Sequence, residues 1–376
     1  MMSSDWINKN QTRLNEYVRM SVTAGSRPDY VQGGGGNTSC KLDDRQMAIK
    51  ASGFRLDQIR PDQAYAVLDY QNLRDFYGRS DPAAFADVEK EGSAQAKAAI
   101  ISIDGLPQLR PSVEVGFHSL LDTYVMHTHP VYANLVTCCA EGKTVAGQAL
   151  AGLLAETGES MAFVPYINPG TQLTFAIDKA RREEAAKSST GRLPRIIFMQ
   201  NHGLIITADD VDTCLHLQDR VNDTLAAAFG VSRQEWPAIR LEELGAGWFS
   251  RTDWLRDQLL SRAWDLNFFV RQALYPDQLV FLSGQMAVVE QGSLADAQAA
   301  NALPAEKCLI FRETGEVYYQ CGANEAGTIE ETLCAILFIT GAITGNGLTV
   351  CTMDEAGQQF ISNWESESYR KTIAAR

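Results

Sequence analysis

Apolar residues recur along this chain at two spacings, and the spacings predict alternating helices and strands. Residues 1–30 carry apolar side chains at helical spacing, which predicts an amphipathic helix. Short apolar runs that stop at turn residues predict buried strands, the clearest being 47–51, 124–126, 195–200 and 204–207. Because strands alternate with helical stretches, the pattern indicates an α/β layered protein.

The chain divides where its composition changes. Residues 236–248 are rich in Glu and Gly, and we interpret them as a linker. This interpretation predicts a main domain over 1–245 and a smaller C-terminal α/β domain over 251–376. The strands predicted in the smaller domain lie near 278–282, 286–290 and 308–311.

Length and charge limit the classes of partner. The 376 residues contain 33 Lys and Arg against 46 Asp and Glu, a formal net charge of −13. This acidity argues against nucleic acid or an anionic membrane as a partner. The most apolar stretch, 333–343, is shorter than the ~20 residues that a membrane span needs, so we predict a buried helix there.

Cysteine usage and the N-terminus both favour a cytoplasmic protein. The eight cysteines are scattered and form no C-x-x-C pair, so the sequence suggests neither a zinc ribbon nor a thioredoxin-like site. The first residues show no basic stretch followed by an apolar core, and we expect no secretory signal. Free thiols in a reducing cytoplasm are the simplest interpretation.

Three histidines are candidate metal ligands. His127 and His129 form an H-x-H pair at the end of a predicted strand, where side chains at i and i+2 share a face. His202, in a turn beside Gly203, would complete a three-histidine set with an open position, which suits a catalytic zinc or a similar divalent ion. The alternative is a pair of ordinary surface histidines before Pro130, and spacing alone does not decide between the two.

Glu114 is a candidate acid or base near a predicted helix start at Pro111 and Ser112. A carboxylate in a first helical turn is favoured by the helix dipole whatever its function, so by itself Glu114 fits a capping acid better than a catalyst. His118, one turn later on the same face, is expected to hydrogen-bond it.

A run of four glycines ends at Gly36 and precedes Asn37. It matches neither a Walker loop nor a dinucleotide fingerprint, which would need a glycine at Thr38. Backbone N–H groups there, in the turn at Ser52-Gly53 and at Ser112, can hold a phosphate. Each stretch alone fits an ordinary glycine turn equally well.

Taken in order, five motifs resemble the class II aldolase/adducin family. They are Gly35-Gly36-Asn37-Thr38-Ser39, Ile49-Lys50-Ala51-Ser52-Gly53, Pro111-Ser112-Val113-Glu114, His127-Thr128-His129-Pro130 and Asn201-His202-Gly203-Leu204. The resemblance covers about residues 10–230. Residues beyond 250 are similar to the aldolase-like half of fused aldolase/short-chain dehydrogenase proteins that act on rhamnulose 1-phosphate.

The resemblance implies a fold and a set of site residues. The fold is an αβα sandwich around a mostly antiparallel sheet, in a homo-oligomer for which a tetramer is favoured. His127, His129 and His202 would bind Zn²⁺ or another divalent transition metal, and Glu114 would be the catalytic acid/base. The residues implied in binding the substrate phosphate are Gly36, Asn37, Ser52, Gly53 and Ser112. Val113 departs from the pattern, because some members carry a second serine there.

The implied activity is that of a metal-dependent aldolase acting on a small-molecule sugar phosphate. It would cleave a ketose 1-phosphate of the rhamnulose or fuculose type into dihydroxyacetone phosphate and an aldehyde through a metal-stabilised enediolate. A pentulose-phosphate 4-epimerase and a sugar-phosphate dehydratase would use the same site and are the alternatives. A non-catalytic adducin-like assembly module would be expected to lack the metal histidines, which are all present here.

Overall fold

The computed structural model describes residues 5–262 and 264–363. Its strands are β1 (Asn37–Lys41), β2 (Gln46–Lys50), β3 (Tyr65–Asp69), β4 (Tyr124–Thr128), β5 (Met161–Val164), β6 (Ile196–Met199), β7 (Gly203–Ala208), β8 (Leu241–Leu244), β9 (Gly247–Ser250), β10 (Met286–Val289), β11 (Cys308–Phe311) and β12 (Glu316–Tyr319). Residues 1–4 of the predicted first helix and 364–376 of the predicted second domain lie outside the described residues.

The α-helices follow in chain order. They are α1 (Asp5–Lys9), α2 (Gln11–Gly25), α3 (Tyr70–Arg79), α4 (Val88–Ala98), α5 (Val115–Leu120), α6 (Val131–Thr137), α7 (Gly142–Thr157), α8 (Thr171–Lys187), α9 (Val211–Ala228), α10 (Asp253–Ser261), α11 (Leu266–Val270), α12 (Pro276–Leu282), α13 (Leu294–Ala299), α14 (Ala323–Gly345) and α15 (Glu355–Asn363). Short 3₁₀ helices cover Leu56–Gln58, Pro82–Ala84 and Arg233–Glu235.

Seven strands form the main sheet, in the order β3-β2-β1-β4-β7-β6-β5. Neighbouring strands run antiparallel, except that β5 and β6 are parallel. Side chains alternate between two cores: Tyr124 and Met126 of β4 join one cluster, and Val125 joins another. The first cluster includes residues of α2, α6, α7 and α9, and the second includes residues of α5 and α8. The predicted mixed α/β fold with a mostly antiparallel sheet is therefore confirmed.

A second sheet of five strands has the order β10-β11-β12-β9-β8. Its β8 and β9 form a hairpin across Gly245-Ala246, and Gly245 has the positive φ of 63° that a tight hairpin turn requires. The prediction of a linker over 236–248 is therefore wrong. The composition of this segment resembles that of a linker because β8 is a largely exposed strand at the sheet edge, where charged residues are common. The division into two domains stays a prediction.

The strand predicted near 278–282 is also wrong, because these residues belong to the buried helix α12. A short apolar run does not distinguish a buried strand from a buried helix by its pattern. Pro276 at the helix start was the signal that favoured a helix, since proline is common in the first helical turn. The strands predicted near 286–290 and 308–311 occur as β10 and β11.

Helix α14 contains the apolar stretch 333–343, and the prediction of a buried helix there is confirmed. Among the described residues it is the one helix long and apolar enough to cross a membrane, and 78% of its most apolar stretch is buried inside the protein. It packs against α6 of the main layer and against α12. Through these contacts α14 supports α12 beside the main sheet.

Candidate metal centre and substrate cleft

Three imidazoles converge where β4 ends and where β6 turns into β7. The ring centroids of His127, His129 and His202 lie between 4.8 and 5.3 Å apart. The Nε2 atoms of His127 and His129 are separated by 3.1 Å. One nitrogen from each ring lies within 4.8 Å of the others, and all three residues are buried. The structure thus brings the three candidate ligands to one point.

The tight turn between β6 and β7 places His202 against the end of β4. Asn201 adopts a left-handed φ of 50°, a conformation that asparagine tolerates better than most residues. Its side-chain amide donates hydrogen bonds to the carbonyl oxygens of Leu274 (2.9 Å) and Cys351 (2.7 Å). A Cβ at Gly203 would lie 2.4 Å from the carbonyl oxygen of Thr128, so this close approach requires glycine.

The chemistry of the donor set fits a divalent transition metal. His127 Nδ1 lies 3.1 Å from the carbonyl oxygen of Leu204, and because a carbonyl can only accept, Nδ1 carries the proton and Nε2 carries the lone pair. Burial, and then the neighbouring His129 and His202, hold the pKa of His127 well below its usual 6.5, so the ring is neutral. Tetrahedral zinc with bonds of about 2.0–2.1 Å separates its nitrogen ligands by ~3.3 Å, close to the separation of the His127 and His129 Nε2 atoms.

Glu114 lies beside this centre and is 6% exposed. Its Oε1 is 3.4 Å from His202 Nε2, and its Oε2 is 3.6 Å from His127 Nε2. The residue is the N-cap of α5, whereas the sequence predicted a position in the first turn. The helix begins later than predicted because Ser112 N donates to the carbonyl of Lys50 (3.2 Å), which keeps the chain extended beside the end of β2.

A chain of buried hydrogen bonds holds the Glu114 carboxylate. Asn37 Nδ2 donates to Glu114 Oε2 at 2.6 Å, and Asn37 Oδ1 accepts from Nε2 of His118. Nδ1 of His118 in turn accepts from Ser39 Oγ at 2.7 Å. Burial, with a smaller effect of Lys41, holds the pKa of His118 well below 6.5, so this ring is also neutral. The sequence predicted a hydrogen bond between His118 and Glu114, whereas the structure connects the two residues through Asn37.

All five residues implied in phosphate binding line one cleft, together with Glu114, His129 and His202. Those five residues are Gly36, Asn37, Ser52, Gly53 and Ser112. Gly36 has a φ of 63°, and a Cβ there would lie 2.6 Å from the carbonyl oxygen of His127. The glycine run therefore passes close to β4 and forms one wall of the cleft, where the fit to a phosphate stays a prediction.

Lys50 lines the same cleft, and sequence reasoning did not single it out. Its ammonium group donates to the carbonyl oxygens of Gly34 (3.1 Å) and Phe54 (2.7 Å), and the side chain is buried. The available signal was its position within the motif that ends at Ser52-Gly53. A buried cation in an acidic chain provides a local positive charge for an anionic ligand.

Asp277 is the second residue that sequence reasoning missed. It lies in the first turn of α12, is fully buried, and its Oδ2 is 2.5 Å from Nδ1 of His129. The preceding Pro276 lines the cleft. The two partners of this contact are 148 positions apart in the chain, so no local spacing indicates it.

The chain belongs to the family described as "Class II Aldolase and Adducin N-terminal domain", whose model matches residues 19–228. The resemblance stated from the five motifs is thus confirmed. Residues 229–376 lie outside the matched segment. Among curated proteins, none matches the chain significantly.

Several solved structures are similar to part of the chain. One is the N-terminal class II aldolase domain of a conserved protein from Thermoplasma acidophilum, with 22% identity and a TM-score of 0.45 over 58% of this chain and 92% of that one. A sugar-phosphate aldolase from Thermotoga maritima has 12% identity and a TM-score of 0.42 over 58% and 94%. L-fuculose-1-phosphate aldolase from Thermus thermophilus has 11% identity and a TM-score of 0.36 over 58% and 94%.

Proposed function

We propose that this chain is a zinc-dependent aldolase that cleaves a ketose 1-phosphate of the rhamnulose or fuculose type into dihydroxyacetone phosphate and an aldehyde. The observation that supports the proposal is the composition of a single cleft. Two of the three clustered histidines and Glu114 line it together with the glycine, serine and lysine residues suited to a phosphate. Membership of the class II aldolase family agrees with this chemistry.

His127, His129 and His202 would hold the metal ion through their Nε2 atoms. A divalent ion bound there supplies Lewis-acid stabilisation of the negative charge that develops on the substrate oxygens during cleavage. Zinc suits the donor set because neutral imidazole nitrogen is one of its preferred ligands. The hydrogen bond from His127 Nδ1 to Leu204 keeps that ring in the tautomer that ligation needs.

We assign to Glu114 the transfer of a proton at the reacting carbon. When the C3–C4 bond breaks, the C4 hydroxyl group becomes the aldehyde carbonyl and releases its proton to solvent, and the bonding electron pair stays on C3. A proton must then reach C3 before dihydroxyacetone phosphate is released. In the synthetic direction the same carboxylate would remove that proton. The hydrogen bond from Asn37 fixes one carboxylate oxygen and so limits how the group can rotate.

The phosphate would bind in the wall formed by Gly36, Asn37, Ser52, Gly53 and Ser112. Lys50 adds the charge that this wall needs, because the chain as a whole is acidic, with a net charge of −13. Holding the phosphate away from the reacting carbons lets remote binding energy orient the C3–C4 bond toward Glu114 and the histidines. A cytoplasmic homo-oligomer, with a tetramer favoured, is part of the same proposal.

The test is release of triose phosphate. We expect zinc-loaded protein to release dihydroxyacetone phosphate from L-rhamnulose 1-phosphate or L-fuculose 1-phosphate, measured by coupled reduction to glycerol 3-phosphate. Glu114→Gln and His127→Ala are expected to lose the activity, whereas His216→Ala, on an exposed site of α9, keeps it. Conversion of a pentulose phosphate without net triose would favour the epimerase, and loss of water without triose the dehydratase. Either result contradicts the proposal.

A further inference from the structure

Asp277 contacts the proposed metal centre from outside the family-matched segment. Its Oδ2 lies 2.5 Å from Nδ1 of His129, and the matched segment ends at residue 228. Asp277 is 0% exposed and His129 is 3% exposed, so water does not compete for this contact. A buried carboxylate is costly unless it is hydrogen-bonded or paired, and here its partner is a candidate metal ligand.

We infer that Asp277 is a positioning residue for the metal centre, which makes residues 274–278 a required part of that centre. The inference rests on the proposed function, namely on metal binding by the three histidines. A carboxylate accepts a hydrogen bond from imidazole Nδ1–H, so Asp277 fixes the tautomer in which Nε2 of His129 carries the lone pair. It also fixes the ring orientation and makes Nε2 a stronger ligand.

The two neighbouring ligands are held in matching ways. His127 lies in β4 and donates from Nδ1 to the carbonyl of Leu204, a group within the same sheet. His129 lies just after β4 and meets Asp277 of α12 instead. In both rings the outward nitrogen is engaged, and the inward Nε2 atoms lie 3.1 Å apart. Asp277 thus does for His129 what the sheet backbone does for His127.

The segment that carries Asp277 is itself held rigidly. Tyr275 Oη donates to Gln32 Oε1 at 3.0 Å, which ties the start of α12 to the loop before the glycine run. Gln278 Nε2 donates to the carbonyls of Phe268 and Phe269, both at 3.0 Å, and its Oε1 accepts from the backbone N–H of Leu274 at 2.9 Å. These bonds hold residues 274–278 at both ends, so the Asp277 carboxylate is oriented before a metal binds.

The close packing of Gly35 provides independent evidence for the contact between Asp277 and His129. A Cβ at this position would lie 2.4 Å from Asp277 Oδ2 and 3.1 Å from His129 Nδ1. At the adjacent Gly34 a Cβ would have no heavy atom within 4 Å. Gly35 therefore lies directly against the Asp277–His129 pair, whereas Gly34 does not. This pair of glycines offers a way to disturb the contact without removing either charge.

The experiment measures zinc affinity of the full chain by competition with a chromophoric chelator. We expect Asp277→Asn to weaken zinc binding by about 10–100-fold, the range for loss of a partner of a ligating histidine. Gly35→Ala is expected to weaken it in the same direction, because the added methyl group displaces the Asp277 carboxylate. Gly34→Ala and Glu331→Gln are the matched controls. Glu331 is a mostly buried carboxylate of α14 that accepts from Gly33 N at 2.9 Å and contacts none of the three histidines in the described structure.

A second readout separates positioning from general packing. In the cobalt(II)-loaded protein, Asp277→Asn is expected to change the visible ligand-field spectrum, which depends on the arrangement of ligands, whereas Glu331→Gln leaves it unchanged. Affinity within threefold of wild type for both Asp277→Asn and Gly35→Ala overturns the inference, and so does an equal loss in the controls. If the wild-type chain itself binds no zinc, the proposed function fails and the inference fails with it.

Discussion

The side-chain amide of Asn37 lies between two residues and engages both: it donates to Glu114 at 2.6 Å and accepts from His118. The same residue lines the cleft where the phosphate is expected. Asn37 thus belongs to two parts of the site, and its side chain is directed toward the carboxylate. The family resemblance implies only phosphate binding for Asn37, whereas the hydrogen bond indicates that its side chain also orients the Glu114 carboxylate.

Asn37→Ala is expected to lower kcat more than it raises KM. The hydrogen bond to a charged carboxylate contributes about 1.5–3 kcal/mol, which corresponds to a loss of roughly 10–100-fold in kcat when Glu114 loses its orientation. Steady-state kinetics on the ketose 1-phosphate provide the measurement. Ser39→Ala removes the bond between Ser39 and His118, which is the third in the chain that starts at Glu114, so this variant serves as the graded control and should cost less. A change confined to KM would show that Asn37 acts on the phosphate alone.

Lys50→Met is expected to raise KM for the phosphorylated substrate by about tenfold or more, because the buried ammonium group lies in the cleft where we propose that the phosphate binds. We expect kcat to change less. Binding of inorganic phosphate, measured by calorimetry, should weaken in parallel. An unchanged affinity for phosphate would contradict this assignment.

The control for that variant is Lys41→Met on the neighbouring strand β1. Lys41 is also buried, and its ammonium donates to the carbonyls of His118 (3.0 Å), Leu121 (2.7 Å) and Asp122 (2.6 Å), away from the cleft lining. Burial lowers its pKa to about 7. Its replacement should reduce the free energy of unfolding by about 1–3 kcal/mol through unsatisfied carbonyls. The affinity for phosphate should stay unchanged.

Metal removal is expected to lower the melting temperature of the chain. A ligand that binds the folded state alone stabilises it by about 4 kcal/mol when its concentration is 1,000 times Kd. Dialysis against a chelator should therefore lower Tm, and zinc should restore it in the wild type. His202→Ala should abolish the zinc-dependent part of Tm, whereas His216→Ala, on the exposed face of α9, should retain it. A zinc response that survives His202→Ala would exclude His202 as a ligand.

The site residues fall into two groups according to how they are visible in the sequence. The two-residue spacing of His127 and His129 at a predicted strand end indicated that their side chains lie together. His202 and Glu114 stand in motifs whose order along the chain identifies the family. Asp277 has no such signal, because its contact with His129 depends on where α12 packs. The spacing of nearby residues predicts which side of an element a side chain occupies. A contact between residues far apart in the chain depends on how the whole core packs.

The errors in the sequence-based fold have the same origin. The run Leu279–Leu282 is apolar at every position, so it carries no period that distinguishes helix from strand. Residues 241–244 place two glutamates between two leucines in a segment rich in Glu and Gly, and this composition indicates a linker. They form strand β8 instead, because an edge strand that is mostly exposed needs no longer apolar run. Strands β4, β6 and β7 were recognisable because they are short, uniformly buried runs ending at turn residues.

A last prediction concerns Glu330 of α14, a buried carboxyl group beneath the second sheet. It accepts hydrogen bonds from Thr252 Oγ1 and from Tyr319 Oη, the latter at 2.9 Å. Burial raises the pKa of Glu330 above its usual 4.5, and the hydrogen bonds offset this only in part. The folded chain therefore holds this proton at a pH where the unfolded chain has lost it.

The sign of the pH dependence follows from this difference. Well below pH 4.5 the Glu330 carboxyl group is protonated in both the folded and the unfolded chain, so its burial does not reduce the free energy of unfolding through ionisation. As pH rises from there to the raised pKa of the folded state, the unfolded state is increasingly favoured, by up to about 1.4 kcal/mol per pH unit. Glu330→Gln carries no titrating proton, so its free energy of unfolding should fall less than that of wild type across this interval.

Urea denaturation between pH 4.5 and 7 measures the difference, with the exposed Glu306→Gln as the control, which should follow wild type. Parallel curves for wild type and Glu330→Gln would show that the buried carboxyl group titrates normally in the folded protein.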